Sequence, residues 1–157
     1  MESSLVGNAG AYFVAARLSA MNLICAPTFR NTPNVDLLIS DLTGSVTLSL
    51  QVKTAVWAMR EQGRGNQKKP HHYEWSMSWR SARLNNANLF FALVDLRNFE
   101  QLPDVFIVPS AIISEYYKGG DPETWKWPRY HESVENLAPY KNAWDIISRH
   151  LGVTMEV

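Results

Sequence analysis

The sequence predicts an α/β or α+β sandwich, a sheet with helices packed against it. Three observations carry that reading. Apolar residues recur at helical spacing near both ends of the chain. Five short apolar or alternating runs lie between them, and Gly, Pro and Asn punctuate the joins. The order is a helix, three strands, a loop, two strands, then helices. No repeat, low-complexity tract or long linker interrupts the 157 residues, so positions 1–157 read as a single domain.

The elements follow in order. Residues 7–21 mix small and apolar side chains at helical spacing, with Asn8 as the candidate cap. Residues 23–26 form a short apolar strand that Pro27 stops. Residues 35–41 and 46–53 are the next two strands, joined around Thr43-Gly44. Residues 57–72, rich in Gly, Asn, Gln and Lys, read as a long exposed loop. Residues 89–96 and 105–108 are a second, strongly apolar strand pair. Pro109 then opens a helix through position 117, a favourable place for proline. The stretch holding Pro122, Trp125, Trp127 and Pro128 is irregular, and its tryptophans are expected to pack the C-terminal helix. Residues 142–151 form that helix, with Trp144, Ile147 and Leu151 on one face and Gly152 ending it.

Composition excludes several classes. With 46% hydrophobic and 19% charged residues the chain is globular rather than disordered. Fifteen basic and fifteen acidic residues cancel, which excludes a histone-like polycation. A lone cysteine, Cys25, excludes a disulfide framework and a multi-cysteine metal centre. No apolar run approaches the roughly 20 residues of a membrane helix, and the first residues carry no signal-peptide pattern, so a cytoplasmic protein is expected. GxSxG, P-loop, GxGxxG and HExxH patterns do not occur.

Charge is unevenly spread. Residues 53–83 carry seven cations against Glu61 and Glu74, a net of +5, while the segments before and after are net acidic. That middle also holds His71, His72, Trp57, Trp75 and Trp79. Cations interleaved with aromatics suit a nucleic acid. Arg64, Lys68, Lys69, His71, His72, Arg80 and Arg83 are the candidate contacts. A solvated loop whose tryptophans turn inward explains the same residues, and both readings stand at this point. Glu74 and Asp95 read as ordinary surface or strand-end acids.

The second and third strands carry the chemistry. With Thr43-Gly44 as a two-residue turn, paired positions sum to 87, which sets Asp36 opposite Gln51. Alternation puts Val35, Leu37, Ile39, Leu48, Leu50 and Val52 on one face. Asn34, Asp36, Ser40, Thr47, Ser49, Gln51 and Lys53 take the other. An ordinary half-exposed hairpin has the same alternation, so spacing alone does not make this a site.

The stretches GNAGAYFVAARL, NVDLLISD and LQVKT resemble the restriction-endonuclease-like PD-(D/E)XK nuclease superfamily. They are most similar to the branch with prokaryotic Holliday-junction resolvases and modification-dependent restriction enzymes, where a Q-x-K variant occurs. LFFALVDL, DVFIVPS and YKNAWDIISRHL look like the rest of such a domain. The resemblance implies a central mixed sheet flanked by helices, in the order α-β-β-β-β-β-α. It implies Asp36, Gln51 and Lys53 as catalytic residues, with Asp36 and Gln51 holding Mg²⁺ or Mn²⁺ weakly until substrate arrives. The implied activity is phosphodiester hydrolysis of DNA, and a homodimer is left open. Three departures stand out: Val35 replaces the motif proline, Gln51 replaces a carboxylate, and Ala11 stands where many relatives carry a glutamate. Ala11 keeps alive a second reading, a nuclease-fold DNA-binding or interaction module that has lost catalysis.

Overall fold

The computed structural model describes residues 2–29 and 32–153. It opens with helix α1 (Ser3–Ala20), whose Val6, Gly10, Val14 and Leu18 recur every fourth residue and form its buried stripe. Glu2, not Asn8, is the cap position, because the helical turn already begins at Ser3 to bring Val6 into the core. Strands β1 (Ile24–Pro27), β2 (Leu37–Ser40) and β3 (Thr47–Ala55) follow. Next come β4 (Met59–Gln62), β5 (Lys69–Ser76), the one-turn helix α2 (Trp79–Ala82), β6 (Leu89–Asp95) and β7 (Asp104–Pro109). Helix α3 (Ser110–Tyr116), β8 (Arg129–Ser133), α4 (Val134–Leu137) and α5 (Asp145–His150) complete the described chain.

The fold is mixed α+β. Its main sheet is five-stranded and mixed, in the order β1-β2-β3-β6-β7, with only β3 and β6 parallel. A second, three-stranded antiparallel sheet runs β4-β5-β8. Every residue of β6 is buried, since this strand is covered on both faces. Phe90, Ala92 and Val94 join a core with α1 and α5, where Trp144, Ile147 and Leu151 pack as one face. Phe91 and Leu93 join a second core with Tyr73, Trp75, Ile113 and Tyr130. Burial on both faces is why this strand reads as a continuous apolar run.

The seat of α1 on the sheet is tight. A Cβ at Gly10 would lie 2.0 Å from Thr54 Oγ1, so glycine is needed there for the helix to approach β3.

Several sequence expectations need correction. The segment 57–72 is not a loop but mostly the β4–β5 hairpin. Its strands are polar on nearly every exposed position, so no apolar alternation marks them. Strand β8 was equally silent, since it buries only Tyr130 of its five residues. The β2–β3 connection is longer than two residues, running from Asp41 to Val46. The register is unchanged, Leu37 opposite Leu50 and Ile39 opposite Leu48, because the loop gained residues symmetrically. The Asp41 carboxylate folds that connection by accepting from Thr43 Oγ1 and from the Val46 N–H. Trp125 packs on Trp79, Tyr116 and Tyr117 rather than on α5, and Trp127 is 84% exposed. Asp95 is buried, accepting from the Ala58, Met59 and Arg97 N–H groups and tying the start of β4 to the end of β6. Glu74 bridges Arg60 at 3.1 Å and Arg129 at 2.8 Å.

Candidate active site

Asp36 stands one residue before β2, where the ladder with β3 opens. Its backbone N–H still donates to Leu50 O at 2.9 Å. One register step on, the side chain replaces the backbone: Asp36 Oδ2 accepts from the Val52 N–H at 2.7 Å. A charged hydrogen bond of this kind contributes about 1.5–3 kcal/mol. It fixes the carboxylate beside the peptide that joins Gln51 to Val52.

Gln51 and Lys53 flank that amide and share the opposite face of β3 from Leu50 and Val52. This face is not open to water as a two-stranded hairpin would be. The second core lies along it, with Phe91 and Leu93 of β6 beside Gln51 and Lys53 in register. Gln51 is only 7% exposed. Its Nε2 donates to Ser81 Oγ at 2.9 Å, and Ser81 lies within 2.8 Å of Ser78 Oγ, which also caps α2. That leaves Gln51 Oε1 buried with no hydrogen-bond partner among the described residues. Lys53 is partly buried. Loss of water pushes its ammonium pKa down, and the negative charge of Asp36 pushes back by a smaller amount.

On the helix side, Asp36 lines a cleft of about 510 Å³ with Asn8, Ala11, Tyr12, Pro27, Thr28, Phe29, Thr32 and Leu37. Ala11 therefore borders the same cavity as Asp36. The glutamate position implied by the resemblance is on the page, and it holds a methyl group.

The candidate DNA contacts fall into two places. Arg64, Lys68 and Lys69 are exposed around the tip of the β4–β5 hairpin and enter no ion pair among the described residues. Arg80 and Arg83 are exposed on and just after α2, the helix whose Ser81 holds Gln51. The Arg83 guanidinium lies 5.2 Å over the Trp79 ring. His71 and His72 sit on β5 with their Nδ1 atoms 2.8 Å apart, and His72 packs against His131 of β8. Burial and the neighbouring histidines hold the His72 pKa below its ordinary value, so it is a poor cation at neutral pH. Of the basic-segment tryptophans, Trp75 is buried, donating to Val94 O, and Trp57 is exposed.

Sequence reasoning missed Ser81. Its local signal, a Ser-x-x-Ser cap, is legible in the chain. Its bond to a glutamine 30 positions away is not.

No protein-family model matches the chain, and a search of curated proteins finds no relative. Among solved structures, a bacterial homing endonuclease, I-Ssp6803I, is similar over 96% of this chain and 94% of its own, with a TM-score of 0.60 and 14% identity. At that identity the likeness is one of fold. The chain has a nuclease-like fold, a mixed sheet flanked by helices.

Proposed function

We propose that this chain is a divalent-metal-dependent DNA endonuclease of the PD-(D/E)XK type, with Asp36, Gln51 and Lys53 as its reaction centre. The observation that carries this reading is the partnerless, buried Gln51 Oε1 on the strand whose Val52 amide holds the Asp36 carboxylate. A buried acceptor without a partner costs about 1–3 kcal/mol. A hard cation recovers that cost through an oxygen it can ligate. Mg²⁺ and Mn²⁺ take oxygen ligands, commonly one or two carboxylates plus substrate phosphate. Asp36 offers the anionic oxygen and Gln51 the neutral one, so the pair fits such an ion, loosely held until phosphate joins. When bound, the cation supplies Lewis-acid polarisation of the scissile phosphate.

The chain's own groups do the rest. Asp36 is held in place by the Val52 N–H and cannot swing away when substrate enters. Ser81 holds the Gln51 amide with its nitrogen turned inward. The Lys53 ammonium has lost part of its hydration, so it attracts the charge that builds on phosphate more strongly than a solvated lysine would. The fold shared with a homing endonuclease supports DNA as the substrate.

A second reading has its own observation. Ala11 borders the Asp36 cleft where a second acid would raise cation affinity, and its methyl group favours a DNA-binding module with weak or absent catalysis. Incubation of the pure protein with single-stranded, duplex and branched DNA in Mn²⁺ separates the two. Cleavage that Asp36→Ala abolishes supports the enzyme. Binding of DNA without cleavage supports the module.

A further inference from the structure

The β4–β5 hairpin outruns the sheet it belongs to. Strand β8 pairs with β5 only from His72 to Ser76, yet β4 and β5 continue to pair through Glu61–Pro70 and Gln62–Lys69. From position 61 to 70 every residue is exposed. A two-stranded ribbon with no third strand and no core beneath it therefore projects beyond the three-stranded sheet.

The tip of this ribbon has a defined shape. Gly63 and Gly65 take positive φ values of 125° and 54°, and a Cβ at Gly63 would lie 2.6 Å from Gln67 O. The Gln67 N–H donates to Arg64 O at 3.1 Å and closes a single 3₁₀ turn over Gly65–Gln67. Its base is equally anchored. Arg60 is clamped between Glu74 and the Trp57 carbonyl, and the Ala58 and Met59 N–H groups are held by Asp95.

What the ribbon presents is chemically selective. It carries Arg64, Lys68 and Lys69 against the single acid Glu61, together with Gln62, Asn66 and Gln67. No large apolar side chain appears between 61 and 70, which excludes a hydrophobic partner groove. Pro70 lacks an N–H, and exposed charges line the free edge, so addition of a partner strand is disfavoured. Amides and arginine are the side chains that pair bidentately with adenine and guanine edges.

We propose that this ribbon enters the DNA major groove and reads bases there, Gln62, Arg64, Asn66 and Gln67 at base edges and Lys68 and Lys69 at flanking phosphates. The fit is dimensional as well as chemical. A two-stranded ribbon fits a major groove about 12 Å wide but not a minor groove about 6 Å wide. Two rungs plus the tip reach roughly 10 Å or more, at about 3.4 Å per rung, against a groove depth of about 8.5 Å. The inference rests on DNA being the substrate and adds that the protein selects sequence, with the selecting residues outside the reaction centre.

The test uses binding, so it does not depend on cleavage. The intact protein is titrated, in Ca²⁺ or without metal, with a duplex whose cytosines carry glucosylated hydroxymethyl groups that fill the major groove. A second titration uses the unmodified duplex saturated with netropsin in its minor groove. Random-sequence duplexes are selected in parallel with the wild type, with a Gln62→Ala/Asn66→Ala/Gln67→Ala variant and with an Arg64→Ala/Lys68→Ala/Lys69→Ala variant. All six positions are exposed and outside the β8 pairing, so far-ultraviolet circular dichroism should match the wild type. The expected result is an affinity loss of at least about tenfold on the glucosylated duplex, as base-edge contacts worth about 1–3 kcal/mol each are blocked, and little change with netropsin. The amide variant should lose the selected sequence while keeping affinity for random DNA. The cation variant should flatten the slope of log K against log salt by about 2–3, at about 0.9 per lost phosphate contact. Equal binding to the glucosylated duplex, loss of binding with netropsin, or unchanged selection by the amide variant overturns the ribbon while leaving the nuclease reading intact. No binding to any duplex at low salt overturns both.

Discussion

Gln51 and Ser81 are joined by one hydrogen bond, Nε2 to Oγ at 2.9 Å, and that bond turns the other end of the amide, Oε1, toward a buried position with no partner. Ser81 is thus a positioning residue for the reaction centre. Ser81→Ala should leave Nε2 unpaired, at a stability cost of about 1–3 kcal/mol, and free the amide to rotate. The expected signature in a calorimetric titration is weaker Mn²⁺ uptake with DNA present, and in kinetics a fall in kcat with little change in KM. Unchanged Mn²⁺ uptake would reduce Ser81 to packing.

Ala11→Glu is a gain-of-function prediction. The site is partly exposed on α1, glutamate is a good helix former, and the cleft it borders contains Asp36. A second carboxylate should tighten Mn²⁺ binding and raise any cleavage activity, with little cost in stability. Loss of metal affinity in this variant would mean that the cleft is not where the ion is held.

Lys53 sets a stability trade against function. Its ammonium is less favoured in the folded protein than in the unfolded chain, where 10.5 is the ordinary pKa. The unfolded chain therefore holds the proton more tightly, and stability rises as pH climbs from the depressed folded value toward 10.5. Lys53→Met should raise Tm at pH 7, and the gain should shrink as pH approaches 10.5, while cleavage is lost. A lower Tm at pH 7 would mean that attraction to Asp36 outweighs lost hydration.

Gly10→Ala tests the seat of α1. The added methyl group meets Thr54 Oγ1 at 2.0 Å, and overpacking of this kind costs about 1–3 kcal/mol. Chemical denaturation measures it, with a lower midpoint expected. An unchanged midpoint would show that helix and strand part without penalty.

How far the sequence carried depends on what each strand buries. Leu37, Ile39, Leu48 and Leu50 alternate cleanly, so their register was legible to the residue, and with it the neighbourhood of Asp36, Gln51 and Lys53. The all-apolar β6 announced itself because both its faces are covered. β4 and β8 were illegible because they bury almost nothing, and their pairing is carried by backbone hydrogen bonds that leave no side-chain pattern. The same gap hid the second covering of β3. A period-two pattern shows which face is polar, but not that α2 and its Ser81 close over that face from 30 residues away.

The central claim is that Asp36, Gln51 and Lys53 form a phosphodiester-cleaving centre. The most direct test is conversion of supercoiled plasmid to nicked and linear forms in millimolar Mn²⁺, run on the wild type beside Asp36→Ala and Lys53→Ala. Cleavage by the wild type, abolished by chelation and lost in both variants while their circular dichroism is preserved, is the predicted result. Cleavage that persists in both variants, or a wild type that binds the plasmid without cutting any DNA form offered, would contradict it.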